Sequence, residues 1–474
     1  MRNLSMPGNP RYQPKDLVEI FGYDNLAPFL VRVELAVMRA LMGRGIIPSE
    51  DAVLLTKERE ERLYAITTSQ MDKVEREITK HDIRALVRLM QECLPPQLAR
   101  WVHVPLTSFD VLETARALQF KTAHEKVVGP KLAKVISLFS ERALEYADVP
   151  QIGRTHGQHA VPITVGFWLA TVLDRILASG VEMGKRAEEL CGKISGPVGA
   201  YNAQKALGIQ AEAGKGSLED EVLNSLGLET PLISTQILAP EPMAYYLFAC
   251  TMLSAALAQF ANDCRHLMRT EIAELGEPFE AGQVGSSTMA QKRNPVTFEN
   301  ICGMWLRNRN AFGLVFDTLV SEHQRDLVGS SLMRDFPQII VNLVHQLDAL
   351  LRLGGANKQP FLARISVDVL RCRQNVDMTR GVILAEPAYL VLQMYGYEGD
   401  AHELINHTVV PLVGSTGLTF YDALSQVAER DRDVKLVWDQ VPHELKELFG
   451  HPEKYTGRAV AATQQICAFA GTFV

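Results

Sequence analysis

The chain has 474 residues, 47% hydrophobic and 22% charged, a balance that supports a large buried core divided over roughly two to four domains. The formal charge of −7 comes without basic runs, which argues against a nucleic-acid module. Seven cysteines, Cys93, Cys191, Cys250, Cys264, Cys302, Cys372 and Cys467, form no C-x-x-C pair; this fits a reducing compartment and argues against a disulfide framework or thiolate zinc site.

Met1 to Tyr12 is polar and proline-bearing, unlike the apolar core of a signal peptide. No uninterrupted apolar run of about 18 residues follows, so a cytoplasmic location without membrane contact is expected. Leu94-Pro95-Pro96 ends a helix, and a loop follows from His103 to Asp110. Gly153 to Pro162 reads as a second polar interruption opening into a long helix. In that helix Leu169, Val172, Leu173, Ile176 and Leu177 recur at the spacing of one face. Leu253, Leu257, Phe260, Cys264 and Leu267 repeat the pattern, and from Val161 to His266 the composition predicts one large helical bundle. Glu274 to Pro295 is a third interruption, rich in glycine and proline. Gly354 to Pro360 predicts a linker into a C-terminal segment. Loops on a rigid scaffold are where chemistry concentrates, so these interruptions are the places to look.

The third interruption carries Gly285-Ser286-Ser287-Thr288-Met289-Ala290-Gln291-Lys292-Arg293-Asn294-Pro295. Asn294 and Pro295 predict an N-cap and first helical residue, and the positive helix end beside Lys292 predicts a carboxylate site. The second carries Gly153-Arg154-Thr155-His156-Gly157-Gln158-His159. Two histidines three apart suggest a metal, but no third ligand lies near them in sequence, so no metal or cofactor is expected.

These strings resemble the fumarase/aspartase superfamily, whose signature loop reads Gly-Ser-Ser-x-Met-Pro-x-Lys-x-Asn-Pro, with Ala290 here in place of the proline. Within it, the GRTHGQHA segment is similar to that of the adenylosuccinate lyase family, as is Thr79-Lys80-His81-Asp82. The resemblance implies Ser286 as general base and His156 as general acid, with His81 and Glu299 also in the catalytic set. It implies Lys292 and Asn294 on a substrate carboxylate, Thr155 positioning substrate, and His159 in support. Lys80, His81 and Asp82 fall at the substrate in the same way. The segment from Trp101 to Asp110 is similar to the family's His-x-Gly-Leu-Thr-Ser-x-Asp string, with Pro105 in place of glycine. It implies substrate contacts from His103, Thr107 and Ser108. Arg325, Ser330 and Arg334, together with Arg11 and Tyr12, match phosphate-gripping positions, a task for which arginine forks suit well. Ser234-Thr235-Gln236 resembles a turn whose glutamine contacts substrate. After it the family carries Arg-Asp, where this chain has Ala239-Pro240-Glu241-Pro242.

The resemblance implies an all-α, three-domain fold with a long central bundle, divided at 1–114, 115–365 and 366–474. It implies a homotetramer with shared active sites and a small succinylated purine nucleotide as substrate, with no nucleic-acid partner. The expected reaction is fumarate elimination from adenylosuccinate and from SAICAR. The alternative is a sister lyase acting on another aminosuccinate or a carboxymuconate. A relative that kept the fold and lost catalysis is disfavoured, because the serine, lysine, asparagine and histidine all survive.

Overall fold

A computed structural model describes residues 2–209, 216–280, 282, 288–289 and 291–473. Within it the chain forms two compact units. The first comprises 1–133, 178–258 and 300–349; the second comprises 134–177, 259–299 and 350–474. The long helices Gly129–Glu145, Val165–Glu188, Glu241–Leu267, Val296–Asp317 and Pro337–Leu351 contribute residues to both. Helix dominates and the strands are short, in agreement with the all-α class.

The first unit is built on Leu26–Gly43, whose face of Leu30, Val33, Val37 and Leu41 is buried. Ser108–Ala123 and Leu218–Leu226 pack against this helix. Ser108–Ala123 starts at a capping box: Thr107 N–H donates to Asp110 Oδ2 at 2.8 Å, so the Thr-Ser pair sits where the backbone enters a helix.

In the second unit the predicted face Leu169, Val172, Leu173, Ile176 and Leu177 is buried. Aromatic rings tie it together. Phe260 lies 4.8 Å from Phe139 and stacks on Trp168 at 5.8 Å, and Phe298 bridges Phe260 to Phe361. Such pairs add about 0.5–1.5 kcal/mol each beyond the area they bury. The C-terminal helices have a core of their own around Leu384, Leu392, Phe420, Leu424 and Trp438.

Two expectations need correction. Gly153 to Pro162 is not an open loop but a β-hairpin, Pro150–Thr155 (β1) against Gln158–Thr164 (β2). The bundle also does not run unbroken from Val161 to His266. Between Val165–Glu188 and Glu241–Leu267 the described chain has only the short helices Asn202–Ala206 and Leu218–Leu226, because Gly192, Gly196, Gly199, Gly208 and Pro231 punctuate it. Glu241–Leu267 is long and apolar enough to match a membrane span by composition, yet Leu247, Leu253, Leu257 and Phe260 are buried within the fold.

Candidate active site

His156 occupies the tip of the β1–β2 hairpin. The turn has two central residues, His156 at φ +53° and Gly157 at φ +76°, both left-handed as a type I′ turn requires. Thr155, His156, Gly157 and Gln158 are exposed, so the imidazole projects from a two-residue turn. Below the tip the hairpin is fixed. Arg154 makes a fork on Glu274, Nη2 to Oε1 at 2.6 Å and Nη1 to Oε2 at 3.1 Å, and Glu274 is fully buried. The same carboxylate accepts from Gln151 Nε2 and Asn375 Nδ2, both at 2.8 Å. Its segment is pinned in turn, since Leu275–Gly276 pairs with Ser366–Val367. Burial depresses the His159 imidazole, and Arg154 depresses it further, so this ring favours its neutral form.

Ser286 lies outside the described residues, as do Gly285, Ser287 and Ala290. Beyond them Lys292 is exposed, its N–H on Met289 O at 3.1 Å, and Asn294 is half-buried. The helix begins at Val296, so Pro295 takes the cap position and Asn294 lies one residue outside. The expected carboxylate seat at this helix end is taken by the chain itself: Glu277 Oε1 accepts the Thr297 N–H at 2.7 Å and the Phe298 N–H at 3.1 Å. First-turn N–H groups have no partner within their own helix, and a half-buried carboxyl from the preceding loop satisfies two of them. Burial raises the Glu277 carboxyl, against the pull of those N–H groups. Glu299, one turn on, is half-exposed and lies 3.9 Å from Arg265.

The first unit holds the remaining candidates. His81 Nε2 lies 3.3 Å from Ser108 Oγ, and its Nδ1 lies 3.2 Å from Asp82 Oδ1. Lys80 is left-handed, at φ +53°, with Nζ on Arg76 O. Thr107 and Ser108 are held from behind by Asp110, which accepts Lys193 Nζ and the N–H groups of Ser195 and Gly196. Lys193 and Asp110 are both fully buried. His103 is tied to the buried Glu34.

Arg325 lies 3.3 Å over the Phe109 ring and donates to Gln236 Oε1 at 3.2 Å. Arg325, Ser330 and Phe109 line one cavity of about 20 Å³. Arg334 is exposed on the turn that follows. Arg11 and Tyr12 form a short turn in which Tyr12 meets the edge of His345 and sits under Arg307. The first unit therefore gathers His81 with Ser108, and Gln236 with Arg325 and Ser330. Thr155, His156, Lys292, Asn294 and Glu299 belong to the second.

The sequence family described as lyase matches residues 30–308, more than half of the chain. An adenylosuccinate lyase of Archaeoglobus fulgidus is 32% identical over 465 residues, 97% of each chain. One from Pyrococcus horikoshii is 30% identical, covering 98% of this chain and 97% of its own. The chain belongs to the adenylosuccinate lyase family of the fumarase/aspartase superfamily. By family it is an enzyme, a carbon–nitrogen lyase that releases fumarate. Solved structures agree on the fold. A fumarate lyase from Mesorhizobium superposes with a TM-score of 0.79 at 20% identity, over 98% of this chain and 100% of its own. A 3-carboxy-cis,cis-muconate lactonizing enzyme from Pseudomonas putida superposes with a TM-score of 0.78 at 22% identity, over 98% of each chain.

Against this family background Pro240 gains a place. Leu238, Ala239 and Pro240 stand in the wall of a mostly apolar cavity of about 60 Å³ that also presents Glu113 and Arg116. Glu113 accepts the Leu238 N–H at 3.4 Å, and burial raises its carboxyl. Reasoning from sequence missed Glu274, Glu277, Lys193 and Glu34. Each is an ionisable residue with a partner in a predicted motif or at a predicted helix start. A lone acid in an apolar run, as in Leu30-Val31-Arg32-Val33-Glu34-Leu35-Ala36-Val37, was the one local signal.

Proposed function

We propose that this lyase eliminates fumarate from adenylosuccinate, and from SAICAR, in cytoplasmic purine nucleotide synthesis. The observation that supports the reading is Arg325, which lies over Phe109, donates to Gln236 and lines one cavity with Ser330, a guanidinium and a hydroxyl that suit a phosphorylated substrate. Ser286 removes a proton from the carbon beside a succinyl carboxylate, and the electron pair spreads into that carboxylate. Lys292 and Asn294 stabilise the negative charge as it develops. The carbon–nitrogen bond then breaks, its electrons go to nitrogen, and His156 protonates the departing nitrogen. The products are fumarate and the amino nucleotide. His81 and Glu299 assist proton transfer, and Thr107, Ser108 and Thr155 hold the succinyl carboxylates. Arg11, Tyr12 and Arg334 complete the phosphate grip, and Lys80, Asp82 and His103 line the substrate.

The enzyme acts as a homotetramer of three-domain chains, divided at 1–114, 115–365 and 366–474, with sites assembled from several subunits. The exposed hairpin tip supports this, since an imidazole held out to solvent suits delivery to a neighbouring subunit's site. Ala239-Pro240, in place of Arg-Asp, favours a second reading, a sister lyase acting on another aminosuccinate or a carboxymuconate. An ultraviolet assay of purified protein separates the two. Adenylosuccinate should yield AMP and fumarate without added metal; turnover of a phosphate-free aminosuccinate alone would replace the first reading with the second.

A further inference from the structure

Glu34 lies in the middle of Leu26–Gly43 with no exposed side-chain surface, and both of its oxygens face one residue 69 positions away. Oε2 accepts the His103 backbone N–H at 3.0 Å, and Oε1 lies 2.7 Å from His103 Nδ1. His103 is left-handed, at φ +70°, in a turn closed by the Leu106 N–H on His103 O at 3.0 Å. A histidine adopts that conformation only when its surroundings hold it there, and here a buried carboxylate grips backbone and ring together. If Glu34 accepts on both oxygens, the hydrogen between Oε1 and the ring is carried by Nδ1. The second ring nitrogen, Nε2, is left as the unprotonated one in the neutral imidazole.

We propose that Glu34 is a positioning residue that fixes the His103 tautomer and offers Nε2, as an acceptor, to a donor group of the substrate beside the Thr107–Ser108 carboxylate seat. The proposal rests on the reading that His103 meets substrate. Glutamine is the discriminating replacement at position 34. Its Oε1 can still take the His103 backbone N–H, while its Nε2 donates to Nδ1 and forces the ring proton onto the outer nitrogen. Side-chain volume is kept and the tautomer is reversed.

The experiment uses the full-length protein labelled with ¹³Cδ2-histidine, the His103 resonance being identified by its loss in His103→Gln. The wild type should show the Nδ1–H tautomer, and Glu34→Gln should move the resonance to the Nε2–H position. kcat/KM should fall about 10–100-fold in Glu34→Gln, the usual worth of such an orienting partner. The double variant Glu34→Gln/His103→Gln should be no worse than His103→Gln alone, because the two residues act as one unit. An unchanged resonance in Glu34→Gln overturns the proposal. If that variant does not fold, an Nε2–H tautomer in the wild type overturns it equally. Full activity in His103→Gln would remove His103 from the site, a failure of the underlying reading that the tautomer measurement keeps distinct.

Discussion

The Arg154 guanidinium and the Glu274 carboxylate meet as two parallel hydrogen bonds, 2.6 and 3.1 Å, between a hairpin strand and a loop 120 residues later in the chain. Gln151 and Asn375 bring the bonds on that carboxylate to four, so a buried charge is fully satisfied. Removing one side of such a pair leaves the other buried and uncompensated. Glu274→Ala should therefore destabilise the second unit by about 3–5 kcal/mol, read by denaturant unfolding. Amide exchange should speed up through 150–164. An unfolding midpoint equal to that of the wild type would show that the pair does not brace the hairpin.

The proposed proton-transfer pair is tested by Ser286→Ala and His156→Gln, each expected to lower kcat by about 10²–10⁴ with oligomer size and circular dichroism unchanged. The two inactive proteins, dissociated and reassembled together, should regain roughly a quarter of wild-type activity if each site draws these residues from different subunits. Mixed oligomers that stay as inactive as their parents would place both residues in a single subunit's site.

Arg334→Ala probes binding rather than chemistry. A phosphate remote from the reacting carbon contributes about equally to ground and transition states, so KM for adenylosuccinate should rise while kcat changes little. Steady-state kinetics with an unchanged KM would take Arg334 out of the phosphate grip.

Acid should weaken the first unit through His124. Burial, helped by Lys121, lowers its imidazole from 6.5 to about 4, and Nδ1 has no hydrogen-bond partner among the described residues. The unfolded chain takes up this proton as pH drops below 6.5, while the native chain takes it up only near 4. Stability is thus full above 6.5 and is lost as pH falls through that window, by about 3 kcal/mol in all. Replacing the ring by His124→Gln should flatten this part of the pH–stability curve by about one proton. An unaltered slope would show that the imidazole titrates alike in both states.

Fold class was legible because helix faces are local. Leu169 to Leu177 and Leu253 to Leu267 carry their period within a few turns, and the faces they predict are buried. The hairpin was not legible: His-Gly is a weaker sign of a two-residue turn than Asn-Gly, and Pro162 within β2 speaks against a strand. The motif strings could be read as resemblance, but the residues that hold them could not. Glu274 serves Arg154, Lys193 serves Asp110, and Glu34 serves His103 across separations of 120, 83 and 69 residues, which topology decides and spacing does not. The helix end at Val296 misled for a related reason, since a carboxylate was expected there and the chain supplies its own.

That last feature bears on how this site can change. A helix start carries roughly half a positive charge, built into the backbone and indifferent to most substitutions. With Glu277 seated on the Thr297 and Phe298 N–H groups, that backbone charge is directed inward. On the proposed function, attraction for a substrate carboxylate at the described end of the loop then falls to side chains, Lys292 with Arg293 beside it, the latter resting over Phe279. Side chains are replaced one codon at a time, whereas a helix end persists as long as the helix does. If the loop binds substrate as proposed, its preference is therefore inheritable in small steps, without disturbing the scaffold that carries it.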